Sequence, residues 1–290
     1  MAVFCGLENG SMPGVVVCRS AFFLNKPMDL PGQNTYREFL LNDATVSYAV
    51  NGGEWIDMHY VVNGADEAYQ PDTLSAVIPH ASDSVSVRVS HSQYGETMAH
   101  QVIPEFIMTD VIDIKVEKRT LDKGDTIYTY KLTYHISPSK DKHLIGRLDL
   151  LDSRSQLVPV KSNDILFEGF DDIQGAGWSE IVEEMIYMGV EGDDGYQQYL
   201  DFRLSDIPEE GRDVEIQTVP MSRRMESVKS RWTVHSADTY LYLQSIAKYR
   251  NGNTSILGME EKVQVYGNFS GNTLGCLTAQ SQTAYITNLH

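Results

Sequence analysis

Strict alternation of apolar and polar residues is the feature that most narrows what this chain can fold into. Ser84-Val85-Ser86-Val87-Arg88-Val89-Ser90 puts three valines on one side and polar groups on the other. A β-strand turns that spacing into one buried and one wet face, because its side chains point to opposite faces with period two. Val111 to Val116 behaves the same way, setting Ile112, Ile114 and Val116 against Asp113, Lys115 and Glu117. Thr126 to Ile136 sets Tyr128, Tyr130, Leu132, Tyr134 and Ile136 against Thr129, Lys131, Thr133 and His135. Further strand-like runs cover 14–23, 45–50, 55–61, 96–103, 144–151, 184–190, 199–204, 213–219 and 231–235. One-sided alternation belongs to antiparallel sheets with one face packed and one solvated. The expected fold is therefore all-β.

One segment breaks that rhythm. Ser236 can accept an orphan N–H of a first helical turn, so a helix is expected over 237–250, with Tyr240, Leu243, Ile246 and Ala247 on its inner face. Asn251-Gly252-Asn253 supplies the stop. Beyond it, Lys262 to Phe269 and Leu274 to Ile286 read as two strands joined by Ser270-Gly271-Asn272. Pro104 cannot donate to a strand ladder, so Ile103-Pro104-Glu105 marks a domain boundary. The expected layout is a flexible N-terminus over 1–13, then an immunoglobulin-like or transthyretin-like sandwich over 14–104. A larger antiparallel β-sandwich or flattened barrel with one packed helix follows over 107–290.

At 290 residues the chain is long enough for two cores, and 42% hydrophobic residues supply them. Its net charge of −17 argues against nucleic acid, whose affinity rests on Lys and Arg neutralising phosphates. The acid excess is concentrated in residues 161–220; Arg223, Arg224, Lys229 and Arg231 form a small basic cluster read as a solvated strand face. No apolar run approaches the ~18–20 residues that span a bilayer, since Val15-Val16-Val17 is broken at once by Cys18-Arg19-Ser20. Residues 1–25 hold no complete secretory signal, so the sequence expects either a cytosolic protein or a mature form of an exported one. Cys5, Cys18 and Cys276 lack metal spacing and read as buried thiols, with a Cys18–Cys276 bridge left open.

Motifs for catalysis are missing: there is no Walker loop, no HExxH and no GxSxG elbow. Gly175-Ala176-Gly177 lacks the third glycine of a dinucleotide fingerprint. His80, His91 and His100 read as sheet and turn histidines rather than a metal triad. No cofactor is expected. Asp171 and Asp172, with Glu191, Asp193 and Asp194, put oxygen donors into glycine-rich loops of the kind a calcium ion takes, although neither loop has the calcium-loop register. Trp178, in the loop 175–179, is the candidate for stacking on a sugar ring, and Asp171 and Asp172 join it as candidate binding residues. A glycan-active enzyme would need two carboxyls about 5–9 Å apart in a cleft.

The segment Ser236-Ala237-Asp238-Thr239-Tyr240-Leu241-Tyr242-Leu243, with Val265-Tyr266-Gly267-Asn268-Phe269 and Asn272-Thr273-Leu274-Gly275, resembles the C-terminal signature of a family of Bacteroidetes lipoproteins (domain of unknown function 4249). The resemblance implies an exported lipoprotein at the outer membrane or cell surface, with the periplasm as second choice, accessory to a TonB-dependent transporter. It also implies a lipid-modified cysteine, here Cys5, followed by the small Gly6, which would be the only membrane attachment. The expected function is non-catalytic binding or assembly at the cell envelope. The alternatives are a fimbrillin-like adhesin using a donated strand, or a glycan-binding or glycan-active protein.

Overall fold

The computed structural model describes residues 1–19, 39–63, 66–120, 124–141, 143–168, 195–252 and 265–289. The fold is all-β, as the alternation requires. It divides into two compact units: unit 1 holds Met1–Glu105, His235–Ile246 and Lys262–Ser281, and unit 2 holds Phe106–Val234, Ala247–Glu261 and Gln282–His290. The first crossing from one unit to the other lies one residue past Pro104. The chain then returns, so 107–290 is not one continuous domain.

In unit 1, β1 (Ala2–Glu8), β2 (Gly14–Cys18), β3 (Thr45–Val50), β4 (Ile56–Asn63), β5 (Asp66–Pro71), β6 (Ser84–His91) and β7 (Gly95–Val102) are joined by the start of β15 (Leu277–Asn288). Their order is β15-β1-β2-β5-β4-β3-β6-β7. On β6 the three valines predicted to be inward, Val85, Val87 and Val89, are fully buried. They pack with Val3, Leu7, Val15, Val17, Tyr48 and Leu277. β1 corrects the expectation of a flexible terminus over 1–13: Ala2, Val3, Cys5 and Leu7 are buried, and the strand is paired on both sides. Burial of these apolar side chains and a full ladder of backbone hydrogen bonds outweigh the entropy that usually frays a chain end.

The two ends of this strand series are bridged by the segment 265–277. On one side Ser270 donates its backbone N–H to Met98 O on β7 and accepts from Met98 N through Oγ, both at 2.9 Å. On the other, Val3 N donates to Leu274 O at 2.9 Å and Leu274 N to Met1 O at 3.1 Å. A terminal hairpin does not form. Residues 265–268 carry no strand, and β15 runs parallel to β1, with Cys5 opposite Leu277 and Glu8 opposite Gln280. Asn268 takes the place of a strand partner, accepting from Leu277 N at 2.8 Å and donating to Leu277 O at 2.9 Å.

The helix α1 (Ala237–Gly252) starts where the sequence places it. Ser236 Oγ accepts from Thr239 N at 3.3 Å, and Thr239 Oγ1 accepts from Ala279 N at 2.8 Å. One cap thus satisfies both a helix donor and a strand donor.

Unit 2 contains two sets of strands. β8 (Thr109–Thr120), β9 (Thr126–Ile136), β11 (Val160–Lys161) and β13 (Arg212–Thr218) form a four-stranded sheet in the order β11-β13-β9-β8. β10 (Ile145–Leu151), β12 (Leu200–Arg203) and β14 (Ser227–His235) run side by side as β12-β10-β14. Tyr130, Leu132, Tyr134 and Ile136, the inward face read from the alternation, form the core with Leu148, Leu150, Phe202, Val214, Ile216 and Trp232. Trp232 meets Tyr134 edge-on at 5.2 Å between ring centroids and Phe202 at 6.1 Å, an arrangement that favours aromatic quadrupoles over face-to-face stacking.

Candidate functional site

Among the described residues of unit 2, a group of buried charged side chains lies on β10, β12 and β14. On β10, Leu148 and Leu150 turn into the core, so Arg147 and Asp149, at alternate positions, share the opposite face. Arg147 stands directly across from Asp201 in the β10–β12 register. Its Nε donates to Asp201 Oδ1 at 2.7 Å and its Nη2 to Oδ2 at 2.9 Å, a bidentate pair that occupies both carboxylate oxygens. The guanidinium also lies 3.7 Å from the centroid of the Tyr199 ring. On the other neighbour, Arg231 Nε donates to Asp149 Oδ2 at 2.8 Å. The result is an alternating row, Asp201, Arg147, Asp149, Arg231, across three strands.

Burial sets the electrostatics of this row. Asp149 is 4% exposed and Asp201 2%. Desolvation lifts the Asp149 carboxyl above its ordinary value, and Arg231 and Arg147 offset only part of that rise. Burial pulls on Arg147 in the opposite direction, but the hydrogen bonds and charge of Asp201 more than compensate and hold its proton more tightly. Tyr199 is raised by burial. An arginine stands on both Asp149 and Asp201, and both oxygens of Asp201 are engaged, which leaves neither placed as a free acid or base.

Further arginine–carboxylate pairs support the same unit. Arg223 Nη2 donates to Asp152 Oδ2 at 2.6 Å, while Asp152 Oδ1 accepts from Arg154 N and Gln156 N. Arg212 reaches Asp164, which also caps the short 3-10 turn Ile165–Phe167. The basic cluster read as a solvated face is thus partly consumed: Arg223 and Arg231 neutralise buried acids.

Unit 1 carries a second cluster at the N-terminus of α1. Asp238 accepts from Tyr266 OH at 2.6 Å, from Asn268 Nδ2 at 3.2 Å and from Gln101 Nε2. Burial, then the bond to Asp238, pushes the Tyr266 phenol up to about 12. Asp238, Tyr266 and Asn268 are among the residues that carry the family resemblance, and with Gln101 they tie the helix to β7 and to the segment before β15.

The remaining candidates are dispersed. Trp178, Asp171, Asp172, Glu191, Asp193 and Asp194 lie outside the described residues. Among the described residues, no three His, Cys, Asp or Glu side chains converge as a metal site would. His91 contacts Asp43 at 3.0 Å, His100 contacts Ser86 at 3.1 Å, and the backbone N–H of His80 donates to Asp83, so the three histidines have separate tasks. Trp232 is core, whereas Trp55 is 39% exposed and covered by Arg88 at 4.4 Å.

Cys5, the residue that the resemblance would lipidate, is 3% exposed in mid-strand, with its thiol pushed up to about 12 by burial. Cys18 and Cys276 are free and buried rather than bridged. Of the ion-pair row, the sequence reading holds only Arg231, as part of a solvated basic face. Arg147, Asp149 and Asp201 are not singled out there, because the partners Asp201 and Arg231 are far along the chain.

Together the fold and these clusters define a two-unit all-β protein with buried ion pairs in one unit and a helix-tied strand closure in the other. No protein-family model matches the chain, and no curated protein matches it. Among solved structures, 99% of the chain is similar to 94% of a chain in a structure described as a cytokine receptor complex, at 8% identity and a TM-score of 0.30. A Salmonella alpha-2-macroglobulin mutant is similar over 81% of this chain and 13% of its own, at 9% identity and a TM-score of 0.25. Likeness at these scores carries no argument about function.

Proposed function

We propose that the protein is a non-catalytic binding or assembly component of the cell envelope, accessory to a TonB-dependent outer-membrane transporter. The observation that carries the non-catalytic part is the saturation of the buried carboxylates. Asp149, Asp152 and Asp201 are each closed by an arginine, so they join strands and turns of unit 2 rather than face a substrate. The envelope and transporter parts rest on the C-terminal resemblance. They do not use Cys5, and among the described residues no helix is long and apolar enough to cross a membrane. The adhesin reading has less support, because the segment 274–280 fills its own place beside β1 and leaves no groove there for a donated strand.

Cross-linking in intact cells, followed by isolation of the tagged protein and mass spectrometry, tests this reading. Stoichiometric recovery of a TonB-dependent transporter from the envelope fraction is expected. Recovery from the cytosolic fraction alone, or a glycan hydrolysis that disappears in Asp149→Asn, would overturn it.

A further inference from the structure

β8 ends the order β11-β13-β9-β8, so its far edge has no strand partner among the described residues. It is a long strand, 12 residues, and an exposed one: the side chains of Asp113, Lys115 and Glu117 are 50%, 64% and 58% exposed. A free edge of this length is a template for another strand, which proteins usually blunt with charges or bulges. Both devices are present, a bulge between Val111 and Asp113 and a run of charges after it. Past the bulge the ladder with β9 is regular from Asp113 to Thr120.

The order of those charges, rather than their number, carries the inference. On the wet face the regular stretch reads Asp113, Lys115, Glu117, Arg119, alternating in sign. A second copy laid antiparallel with Val116 opposite Val116 puts Asp113 against Arg119 and Lys115 against Glu117, each twice by symmetry. Ile114 then meets the stem of Lys118 on the core side. Sliding one copy by two residues in one direction sets Lys115 against Lys115 and Asp113 against Glu117. Sliding it the other way sets Glu117 against Glu117 and Lys115 against Arg119. A slip by one residue exchanges the faces. Directly opposed unlike charges favour a strand pair and like charges oppose it; the register centred on Val116 makes four unlike pairs, whereas slides of four residues, centred on Ile114 or Lys118, make only two. Within its own sheet Lys115 pairs with Asp113 at 3.0 Å and Lys131 with Glu117 at 2.7 Å, so the contacts across the open edge would add to ion pairs already made.

We propose that two copies of this chain associate edge to edge through β8, antiparallel about a two-fold axis at Val116, extending the four-stranded sheet of unit 2 across the dimer. The contact is isologous and closed, as a two-fold interface must be. It does not depend on the envelope reading, since it requires only the purified chain.

Sedimentation of the full-length protein up to about 0.1 mM is the test, because an interface of one strand pair belongs to the small, weak class. A reversible monomer–dimer equilibrium is expected, weakening as salt is added. Lys115→Glu alone and Glu117→Lys alone should each weaken association by roughly tenfold or more, since each converts two attractive pairs into repulsive ones. Mixing the two variants should restore it, because the carboxylate introduced in one chain then faces the ammonium introduced in the other. Both singles must keep the wild-type circular dichroism. A strictly monomeric wild type, an association indifferent to both reversals, or a mixture no tighter than its components would overturn the proposal.

Discussion

In unit 1, buried tyrosine hydroxyls stand in for missing strands: Tyr48 OH donates to Val77 O and accepts from Val77 N, and Tyr69 OH donates to Leu41 O and accepts from Ala44 N. In unit 2 the comparable work falls mainly to full charges, Arg147 with Asp201, Arg231 with Asp149 and Arg223 with Asp152. A neutral hydrogen bond adds only about 0.5–1.5 kcal/mol net, and removing one partner strands the other at a cost of about 1–3 kcal/mol. A buried ion pair adds little over an apolar pair of the same shape, but breaking it by removing one partner costs about 3–5 kcal/mol. The lesson is that the two units should tolerate substitution differently, unit 1 being limited by backbone fit and unit 2 by charge pairing.

Two reporters allow the units to be followed separately. Cys5, Cys18 and Cys276 all lie in unit 1, with thiols pushed to about 12, 11 and 12, so a thiol reagent should reach them only when that unit opens. Trp232 lies in the core of unit 2, and its emission is cleanly read in a Trp55→Phe/Trp178→Phe background.

Gly275→Ala should have the largest effect. Gly275 has φ +105°, and a Cβ there would lie 1.9 Å from the Val3 carbonyl oxygen, which belongs to a strand paired on both sides. Neither backbone can retreat, so a loss of about 4 kcal/mol or more is expected. All three thiols should become reactive. Slow wild-type labelling in this variant would break the claim that backbone fit limits unit 1.

Arg147→Ala comes next, with about 3–5 kcal/mol lost by denaturant titration as Asp201 is left charged and buried. The Trp232 transition should move and the thiol transition should not. Arg147→Met/Asp201→Leu should recover most of the stability; a double variant as unstable as the single would show that the pair contributes more than a charge balance.

Gly146→Ala supplies the counterpart to Gly275 in unit 2. Its Cβ would meet the Phe202 ring at 2.3 Å, but a ring can tilt where a strand cannot, so about 1–3 kcal/mol is expected. A loss equal to that of Gly275→Ala would erase the distinction.

Tyr266→Phe should be mildest at neutral pH, about 1 kcal/mol for one hydrogen bond. Its signature lies in alkali. The folded protein keeps the Tyr266 proton to about 12, whereas the unfolded chain releases it near 10. The burial of the phenol, and after it the bond to Asp238, therefore contribute a stability that is full below pH 10 and fades as pH rises toward 12. Plotting wild-type minus variant stability against pH should show that decline, and a flat difference would show that the phenol proton is not held by the fold.

Much of the fold was legible because period-two alternation survives wherever one face is buried and the other wet. β3 and β9 match the sequence reading at both ends, β6 runs one residue longer than Ser84–Ser90, and Ser236 caps the helix as its position suggests. β1 was missed because Ala2-Val3-Phe4-Cys5 is apolar on both faces: Val3 and Cys5 are buried on one, and Phe4 on the other meets Tyr242 of the helix. The terminal hairpin was misread because the residues that pair with Leu277–Gln280 lie in β1, roughly 270 positions earlier in the chain. Of the candidate site, Arg231 was read only as part of a solvated basic face, and Arg147, Asp149 and Asp201 were not singled out, since nothing local distinguishes a wet face from one that another part of the chain will cover.

The sequence by itself determined the strands, the faces they bury, the helix and its cap, and the alternating charges along β8. These are local properties, set by side-chain direction and by which atoms lie within a few residues. Only the tertiary structure decided that β1 and β15 run parallel, that Cys5 is a core thiol, and that Asp149 and Asp201 meet arginines from neighbouring strands. Those outcomes depend on desolvation and long-range pairing, whose energies exist only once distant segments have excluded water between them.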